Sequence, residues 1–200
     1  MIAAVVLAAG RAVRMGSPKM LLRVGGEGLL AHAVRTARAS RCDEVYVVVG
    51  ADAEAVSAVV RDGGARPVAN PRYPEGMGTS VAAGIAALPH DCEAAVVMVG
   101  DQPFVSADAL NALIDTYRRT GRPLVASRYG AVLGAPMLIG RARFDEALAL
   151  DGDVGARVLL RRHPELTSEV DVGEGPASWD VDTPDDLERA RREIGSGGLE

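Results

Sequence analysis

Three short apolar runs rich in valine constrain the fold of this chain more than any other feature. They lie at Ile2–Leu7, Glu44–Val49 and Ala94–Val99, and each runs directly into a loop. Strands that are buried on both faces of a parallel sheet have such continuous apolar sequences. This pattern predicts an α/β protein with a doubly wound, mostly parallel sheet and helices on both faces. The helices are expected between the runs, at Leu29–Ala39, Ala53–Val60 and Thr79–Leu88.

The second half of the chain is less regular but continues the alternation. A helix is expected over Asp108–Arg118, with Ser106 as its capping residue, and two strands and two further helices follow. These four elements are predicted at Pro123–Ala126, Pro136–Ile139, Asp153–Arg161 and Asp185–Glu193. The length of 200 residues is ordinary for one globular domain. We therefore expect a single domain over residues 1–194 and a flexible glycine-rich tail over residues 195–200.

The balance of charge argues against several classes of partner. The formal net charge is −5 with both signs interspersed, so neither a nucleic acid nor an anionic membrane surface is expected as the main partner. A membrane span needs about 18 consecutive apolar residues, and no apolar run approaches this length. The N-terminus lacks the basic residues with which a signal peptide begins. Cys42 and Cys92 are far apart and are interpreted as reduced thiols. We expect a cytoplasmic protein.

The loop after the first apolar run combines small residues with cations. It spans Ala8–Lys19 and includes Arg14 and Lys19. Small residues let backbone N–H groups approach an anion. Arg14 offers a planar guanidinium group and Lys19 a compact ammonium charge for phosphate oxygens. In open α/β sheets, ligands bind at the edge formed by the carboxyl ends of the strands, and this loop follows the carboxyl end of the first strand. Its position favours phosphate binding over a merely solvated turn. The spacing of Gly16 and Lys19 excludes a P-loop, and no Gly-x-Gly-x-x-Gly sequence is present.

Two acidic segments offer ligands for a divalent metal. Asp101 follows the third apolar run, which puts a carboxylate at the same edge of the sheet. Magnesium takes few carboxylates and completes its shell with water and substrate phosphates. Asp180 and Asp182 flank a valine, so in an extended segment they point the same way, and Asp182 is the favoured second ligand. The neighbouring Thr183 is interpreted as a helix cap.

Several motifs, which are specific only in combination, resemble those of one family. The chain resembles the MobA-like nucleotidyltransferases over nearly its whole length, and within them the molybdenum cofactor cytidylyltransferases. The motifs are Leu7-Ala8-Ala9-Gly10 with Arg14 and Lys19, Asn70-Pro71 with Gly76-Met77-Gly78-Thr79-Ser80, Asp101-Gln102-Pro103, Gly152-Asp153-Val154-Gly155-Ala156-Arg157, and Asp182-Thr183-Pro184.

The resemblance implies a Rossmann-like sheet of the kind found in nucleotide-diphospho-sugar transferases. It also implies that Mg²⁺ is held by Asp101 and Asp182, and that Arg14, Lys19 and Asp101 are catalytic. Ser80 could hydrogen-bond a cytosine base, although it could equally be only a helix cap, and Gly78 would let the base approach closely. The nucleotide contacts implied as a set are Leu7, Ala8, Ala9, Gly10, Arg14, Lys19, Asn70, Gly76, Gly78, Ser80 and Asp101.

The resemblance also bears on the two substrates. The guanylyl-transferring branch has Leu-Ala-Gly-Gly where this chain has Ala9, and the added methyl group favours CTP over GTP. The implied acceptor is the terminal phosphate of molybdenum-bearing molybdopterin, with Arg157 and Asp180 as acceptor contacts and pyrophosphate as the second product. Ala135 departs from a common Gly-His-Pro pattern, so another phosphorylated small molecule stays open as the acceptor. GTP stays open as the nucleotide. A non-catalytic carrier that serves an apo molybdenum hydroxylase is the alternative from another class.

Overall fold

The computed structural model describes residues 1–10 and 18–197. The strands in this part of the chain are β1 (Ile2–Ala8), β2 (Arg23–Val24), β3 (Glu27–Gly28), β4 (Glu44–Val49), β5 (Arg66–Ala69), β6 (Ala94–Val99), β7 (Leu124–Tyr129), β8 (Val132–Gly140) and β9 (Thr167–Asp171). The α-helices are α1 (Leu29–Ala39), α2 (Ala53–Asp62), α3 (Met77–Ala86), α4 (Ala107–Thr120), α5 (Phe144–Leu148), α6 (Arg157–Arg162) and α7 (Pro184–Gly197).

One large sheet organises these elements. Its strand order is β5-β4-β1-β6-β8-β7-β9, and β5, β4, β1 and β6 run parallel to one another. The central strand β1 pairs on both sides, with Val5 opposite Tyr46 of β4 and Val97 of β6. Strand β8 is antiparallel to β6 and β7, while the edge strand β9 is parallel to β7. The predicted mostly parallel, doubly wound sheet is confirmed.

Helices cover both faces of the sheet. Successive residues of a strand point to opposite faces, and on β1 Ala4 and Val6 pack with α1, α2 and α4. Ala3 and Val5 pack on the other face with α3, α5 and α6. A smaller third cluster joins Val24 of β2 to α7. Burial of apolar surface on both faces of β1 explains why its sequence shows no polar alternation.

Several element boundaries differ from the sequence predictions. The helix expected from Asp153 begins only at Arg157, because Gly152 has a positive φ of 60° and the loop around it packs against the start of α3. Strands β5 and β9 were not predicted, since both lie at sheet edges, are short and are only partly buried.

The last helix is longer than predicted. It continues to Gly197, past the expected start of the tail at residue 195. Ile194 belongs to the third cluster and lies against Gly25, which extends the packing of α7 beyond residue 193. Within residues 1–10 and 18–197, every helix is too short or too polar to serve as a transmembrane span.

Candidate active site

Lys19 lies between two carboxylates at the edge of the sheet. Its Nζ atom donates hydrogen bonds to Oδ2 of Asp101, at 2.7 Å, and to Oδ1 of Asp182, at 2.5 Å. The side chain of Lys19 is 11% exposed, and those of Asp101 and Asp182 are 19% and 46% exposed. Lys19 is also the only lysine in the sequence. The fold thus brings together three residues from segments far apart in the chain, and the group remains open to solvent on one side.

A backbone hydrogen bond joins the two acidic segments. The N–H of Val181 donates to the carbonyl oxygen of Asp101 at 3.1 Å. The Val181 side chain is buried in the third cluster, together with residues of α7. In an extended segment alternate side chains point the same way, so the buried valine leaves Asp180 and Asp182 facing the site.

The start of α7 is fixed by a reciprocal capping arrangement. Thr183 Oγ1 accepts from the N–H of Asp186 at 3.2 Å, and Asp186 Oδ2 accepts from the N–H groups of Thr183 at 2.8 Å and Asp182 at 3.1 Å. The predicted capping role of Thr183 is confirmed. The side-chain hydrogen bond from Thr183 is the main cause that lowers the pKa of Asp186. The cap therefore fixes the backbone of Asp182 through its N–H group, while the carboxylate of Asp182 accepts a hydrogen bond from Lys19.

The two carboxylates keep Lys19 charged. Burial is the largest single influence on the pKa of Lys19, and by itself it lowers that pKa. The charge and hydrogen bond of Asp101, together with those of Asp182, outweigh burial and raise the pKa of Lys19 above its ordinary value. Lys19 is therefore a fixed cation, which suits phosphate oxygens better than proton transfer.

Gln102 holds Asp180 beside the same group. Its Nε2 donates to Oδ1 of Asp180 at 2.8 Å. Burial, followed by the charge of Asp101, raises the pKa of Asp180. Gln102 belongs to a motif singled out in the sequence, but no role was predicted for its side chain. That role depends on the contact between the loop after β6 and the segment before α7, which are distant in the chain.

The carboxylates are suited to a divalent cation. Oδ1 of Asp101 is buried and has no hydrogen-bond partner in the described part of the chain. A buried polar atom without a partner is costly, and a hard cation would satisfy it. Among residues 1–10 and 18–197, no group of three or more His, Cys, Asp and Glu side chains is arranged as a metal site. A metal here would take one or two carboxylates and fill its shell with phosphate oxygens and water.

Two adjoining cavities meet at the carboxylates. The Lys19 cavity has a volume of about 300 Å³ and is lined by Ala9, Gly10, Lys19, Tyr73 and Ser80, among others. The Arg157 cavity has a volume of about 470 Å³ and is lined by Gln102, Ala135, Arg157, Arg161 and Asp180, among others. Both are lined by Leu7, Met77, Val99, Asp101, Asp153 and Asp182. The site thus offers two ligand spaces with the carboxylates where they adjoin.

Leu7, Ala8 and Ala9 are all buried and alternate between the two faces of the sheet. Leu7, Ala9 and Gly10 line the Lys19 cavity. Ala8 packs on the opposite face of β1, which carries α1, and lines neither cavity, so its side chain does not border the predicted nucleotide space. A contact through its backbone stays a prediction. A Cβ atom on Gly10 would meet no described atom within 4 Å, which leaves space beside it. Arg14 lies outside the described residues, so its phosphate contact stays a prediction.

Asn70 organises the start of α3. Its Nδ2 donates to the hydroxyl oxygens of Thr79 and Ser80, both at 3.0 Å, and its Oδ1 accepts from the N–H of Arg72 at 3.0 Å. Asn70 is 4% exposed and lines neither cavity. Asn70 therefore positions Ser80 at the wall of the Lys19 cavity and does not border the cavity itself.

Ser80 lies inside the first turn of α3. The helix begins at Met77 with Gly76 as its capping residue. The alternative in which Ser80 only caps the helix is therefore wrong. The helix had been predicted to begin two residues later, at Thr79.

Gly76 and Gly78 bring α3 against the loop at residues 151–153. Gly76 has a φ of 125°, and a Cβ atom there would lie 2.2 Å from the carbonyl carbon of Gly152. At Gly78 a Cβ atom would lie 2.7 Å from the backbone nitrogen of Asp151. The N–H of Gly78 also donates to the carbonyl oxygen of Gly152 at 2.9 Å. The close contact at Gly78 is with the backbone of another loop. From the sequence, the close contact had been predicted to be with a nucleotide base.

Substitution of Gly76 should destabilise the fold. Gly76→Ala is expected to lower the free energy of unfolding by about 2–4 kcal/mol, since it combines a left-handed backbone with a clash against Gly152. Gly175 is the matched control, because it has a φ of 146° and nothing within 4 Å of its Cβ position. Gly175→Ala should lower the free energy of unfolding by only about 1–2 kcal/mol. Urea denaturation measures both, and equal losses would refute the role of the close contact.

Arg157 extends from α6 over strand β8. Its Nη2 would lie 3.1 Å from a Cβ atom on Gly134. Ala135, the next residue, accepts a hydrogen bond from the hydroxyl of Tyr129 at 2.9 Å through its carbonyl oxygen. Arg157, Ala135 and Asp180 all line the Arg157 cavity. The three positions that the sequence analysis linked to an acceptor therefore border one space.

The fold and the site define the class of protein. A lysine that contacts one carboxylate after a parallel strand and a second before the last helix is suited to nucleotide phosphates and a divalent metal, as nucleotidyl transfer requires. The chain belongs to the MobA-like NTP transferase family, whose domain matches residues 4–167. The resemblance to the MobA-like family drawn from the motifs is confirmed.

Individual relatives match nearly the whole chain. Nicotine blue oxidoreductase of Paenarthrobacter nicotinovorans is 36% identical over 194 residues, which cover 92% of this chain and 94% of the relative. The crystal structure of Rv0371c from Mycobacterium tuberculosis H37Rv superposes with a TM-score of 0.84 at 33% identity, covering 96% and 97% of the two chains. The structure of Rv0371c in complex with manganese superposes with a TM-score of 0.82 at 30% identity, with the same coverage. A homologue of this chain therefore binds a divalent metal.

Proposed function

We propose that the protein transfers CMP from CTP to the terminal phosphate of molybdenum-bearing molybdopterin and releases pyrophosphate. The observation that carries this proposal is the position of Lys19 between Asp101 and Asp182, where two cavities adjoin. The Lys19 cavity supplies a cation for a triphosphate, and the Arg157 cavity supplies space and a cation for an anionic acceptor.

Each charged residue has a distinct role in the proposed reaction. Lys19 binds oxygens of the β- and γ-phosphates and stabilises the charge that develops on pyrophosphate. Asp101 and Asp182 hold Mg²⁺, and bound Mg²⁺ supplies charge neutralisation at the nucleotide phosphates. The acceptor phosphate is already anionic, so its in-line attack on the α-phosphate requires no strong general base. Arg14, in the same loop as Lys19, is proposed as a second phosphate contact.

Base recognition is proposed at Ser80 and Ala9, which both line the Lys19 cavity. Asn70 donates to the hydroxyl oxygen of Ser80, so the Ser80 proton is available for an acceptor atom of cytosine. The methyl group of Ala9 narrows the same cavity and disfavours a purine. We therefore propose CTP as the preferred nucleotide.

Removing the Ala9 methyl group should relax nucleotide choice. Ala9→Gly is expected to raise the ratio of kcat/KM for GTP to that for CTP by about 10–200-fold, since a steric contact of this kind contributes about 1–3 kcal/mol. Ala8→Gly is the control, because Ala8 is buried in the core and lines neither cavity. Steady-state pyrophosphate release measures both ratios. An unchanged ratio in Ala9→Gly would show that Ala9 does not select the base.

A second acceptor class is favoured by one residue. Ala135 lines the Arg157 cavity where the cytidylyltransferases commonly carry a histidine. The smaller side chain removes a polar contact and enlarges the space, which supports another phosphorylated small molecule as the acceptor. The chemistry and the roles of Lys19, Asp101 and Asp182 are the same in both cases.

Two further alternatives differ in class. A carrier of the finished cofactor, handing it to an apo molybdenum hydroxylase, has no need of a lysine and two carboxylates suited to a metal-bound triphosphate. The relative named nicotine blue oxidoreductase raises a redox reaction as the other alternative.

One labelling experiment separates these functions. The protein is incubated with Mg²⁺, CTP labelled at the α-phosphate and molybdenum-loaded molybdopterin, and a parallel sample receives nicotine blue and a reductant. The proposal predicts that the label moves from CTP to the pterin product. Reduction of the dye, with the label retained in CTP, would favour the redox alternative. The absence of both reactions would reject molybdopterin as the acceptor and favour either another phosphorylated acceptor or a carrier role.

A further inference from the structure

We infer that Arg157 and Arg161 together form an anion subsite of the Arg157 cavity, and that Met77 and Val154 hold an apolar part of the same ligand. The inference rests on the proposed function, since it names the class of acceptor for that site. The acceptor is an organic phosphate whose body presents an apolar face, and Arg161 is a specificity-determining residue for it.

The two arginines lie one turn apart on α6. Both line the Arg157 cavity and both are exposed. Neither forms a hydrogen bond or an ion pair with a residue in the described part of the chain. Like charges at this spacing disfavour a helix. An anion bound between the two guanidinium groups removes this repulsion and provides charge-assisted hydrogen bonds.

The carboxylates of the cavity do not neutralise these cations. Asp101 and Asp182 are paired with Lys19, and Asp180 accepts a hydrogen bond from Gln102. Asp153 also lines the cavity but forms no ion pair with Arg157 or Arg161 within the described residues. Within the described residues, the positive charges of Arg157 and Arg161 are therefore not paired with any carboxylate of the cavity.

Apolar side chains complete the subsite. Met77 and Val154 are 45% and 40% exposed, which is unusual for large apolar residues, and both line the Arg157 cavity. Met77 comes from the start of α3 and Val154 from the loop before α6. The Sδ atom of Met77 lies 2.9 Å from the Cβ position of Gly155, so the two segments meet there. Exposed apolar side chains with a few convergent polar groups are typical of a ligand site.

Phenyl phosphate is a simple probe for this subsite, since it joins a phosphate to a flat apolar ring. Its binding to the full chain is followed by ³¹P NMR, in the presence of Mg²⁺ and α,β-methylene-CTP, so that the nucleotide space is filled and no pyrophosphate can be released. Arg157→Gln and Arg161→Gln are each expected to weaken phenyl phosphate binding by about tenfold. Arg162→Gln is the matched control, because Arg162 is exposed on the same helix and lines neither cavity.

The apolar contact is tested by comparing the binding of phenyl phosphate with that of inorganic phosphate. Val154→Ser should weaken phenyl phosphate binding several-fold and leave the binding of inorganic phosphate nearly unchanged. Val132→Ser is the control, because Val132 is 55% exposed but lies outside both cavities. Equal effects of Val154→Ser on both probes would refute the apolar contact.

The results for the arginines distinguish the subsite from the proposed function. Unchanged binding in Arg157→Gln and Arg161→Gln, or an equal loss in Arg162→Gln, would overturn the inference even if CMP transfer to molybdopterin occurs. Loss in the two cavity variants alone would establish the subsite even if molybdopterin is not an acceptor. With an active acceptor, Arg161→Gln should also raise the acceptor KM about tenfold and leave the KM for CTP unchanged.

Discussion

Asp101→Asn should lower kcat for CMP transfer by about 10²–10³-fold, the range found when one preorganised electrostatic contact is lost from an active site. Asp101 adjoins both cavities, binds Lys19 and has a buried oxygen without a described partner. The asparagine has the same shape, and the backbone hydrogen bond to Val181 remains. The fold should therefore persist. Steady-state pyrophosphate release and circular dichroism measure the two effects.

Asp185→Asn is the matched control for this substitution. Asp185 is exposed in the first turn of α7 and forms no side-chain hydrogen bond with the described residues. It should keep full activity, since it contributes only to the electrostatics of the helix start. If Asp101→Asn retained more than about a tenth of the wild-type kcat, Asp101 would have to be removed from the catalytic group.

Lys19→Met should also reduce kcat, by about 10²–10³-fold, because it removes the cation proposed to stabilise pyrophosphate. It should have a second effect on the protein without nucleotide. Asp101 and Asp182 would face each other without the intervening ammonium group, so the melting temperature without metal should fall. Added Mg²⁺ should then raise the melting temperature of Lys19→Met more than that of the wild type, since the metal no longer competes with Lys19 for the carboxylates.

Thermal denaturation with and without Mg²⁺ tests this second effect. Equal Mg²⁺-dependent shifts of the melting temperature in wild type and Lys19→Met, with kcat unchanged, would refute the role of Lys19.

Chemical labelling of amines provides a second test, because Lys19 is the only lysine in the sequence. An amine-specific reagent should label Lys19 and the Met1 amine alone, and CTP with Mg²⁺ should protect Lys19 but not Met1, whose amine pairs with Glu93.

The parallel half of the sheet could be predicted from sequence because its strands are buried on both faces. The apolar runs of β1, β4 and β6 match their predicted bounds within one residue. Knowing that parallel strands end at one edge was enough to assign Lys19 and Asp101 to one site. The edge strands β5 and β9 could not be predicted in this way, since half-exposed strands lack a continuous apolar run.

The finer features of the site depend on contacts between distant segments. Asn70 was predicted to contact the nucleotide, but its amide binds Thr79 and Ser80. The role of Gln102 requires Asp180, which lies 78 residues away in the chain. Local sequence shows which residues have suitable chemistry. It does not show which partner satisfies each polar atom, because that is decided by how the loops pack.

The central claim is tested most directly by acceptor-dependent pyrophosphate release. The protein is supplied with Mg²⁺ and either CTP or GTP, with and without molybdenum-loaded molybdopterin. We expect release that requires the acceptor and is faster with CTP than with GTP. Release with GTP in preference to CTP would contradict the assignment of the nucleotide, and no acceptor-dependent release with either nucleotide would contradict molybdopterin as the acceptor.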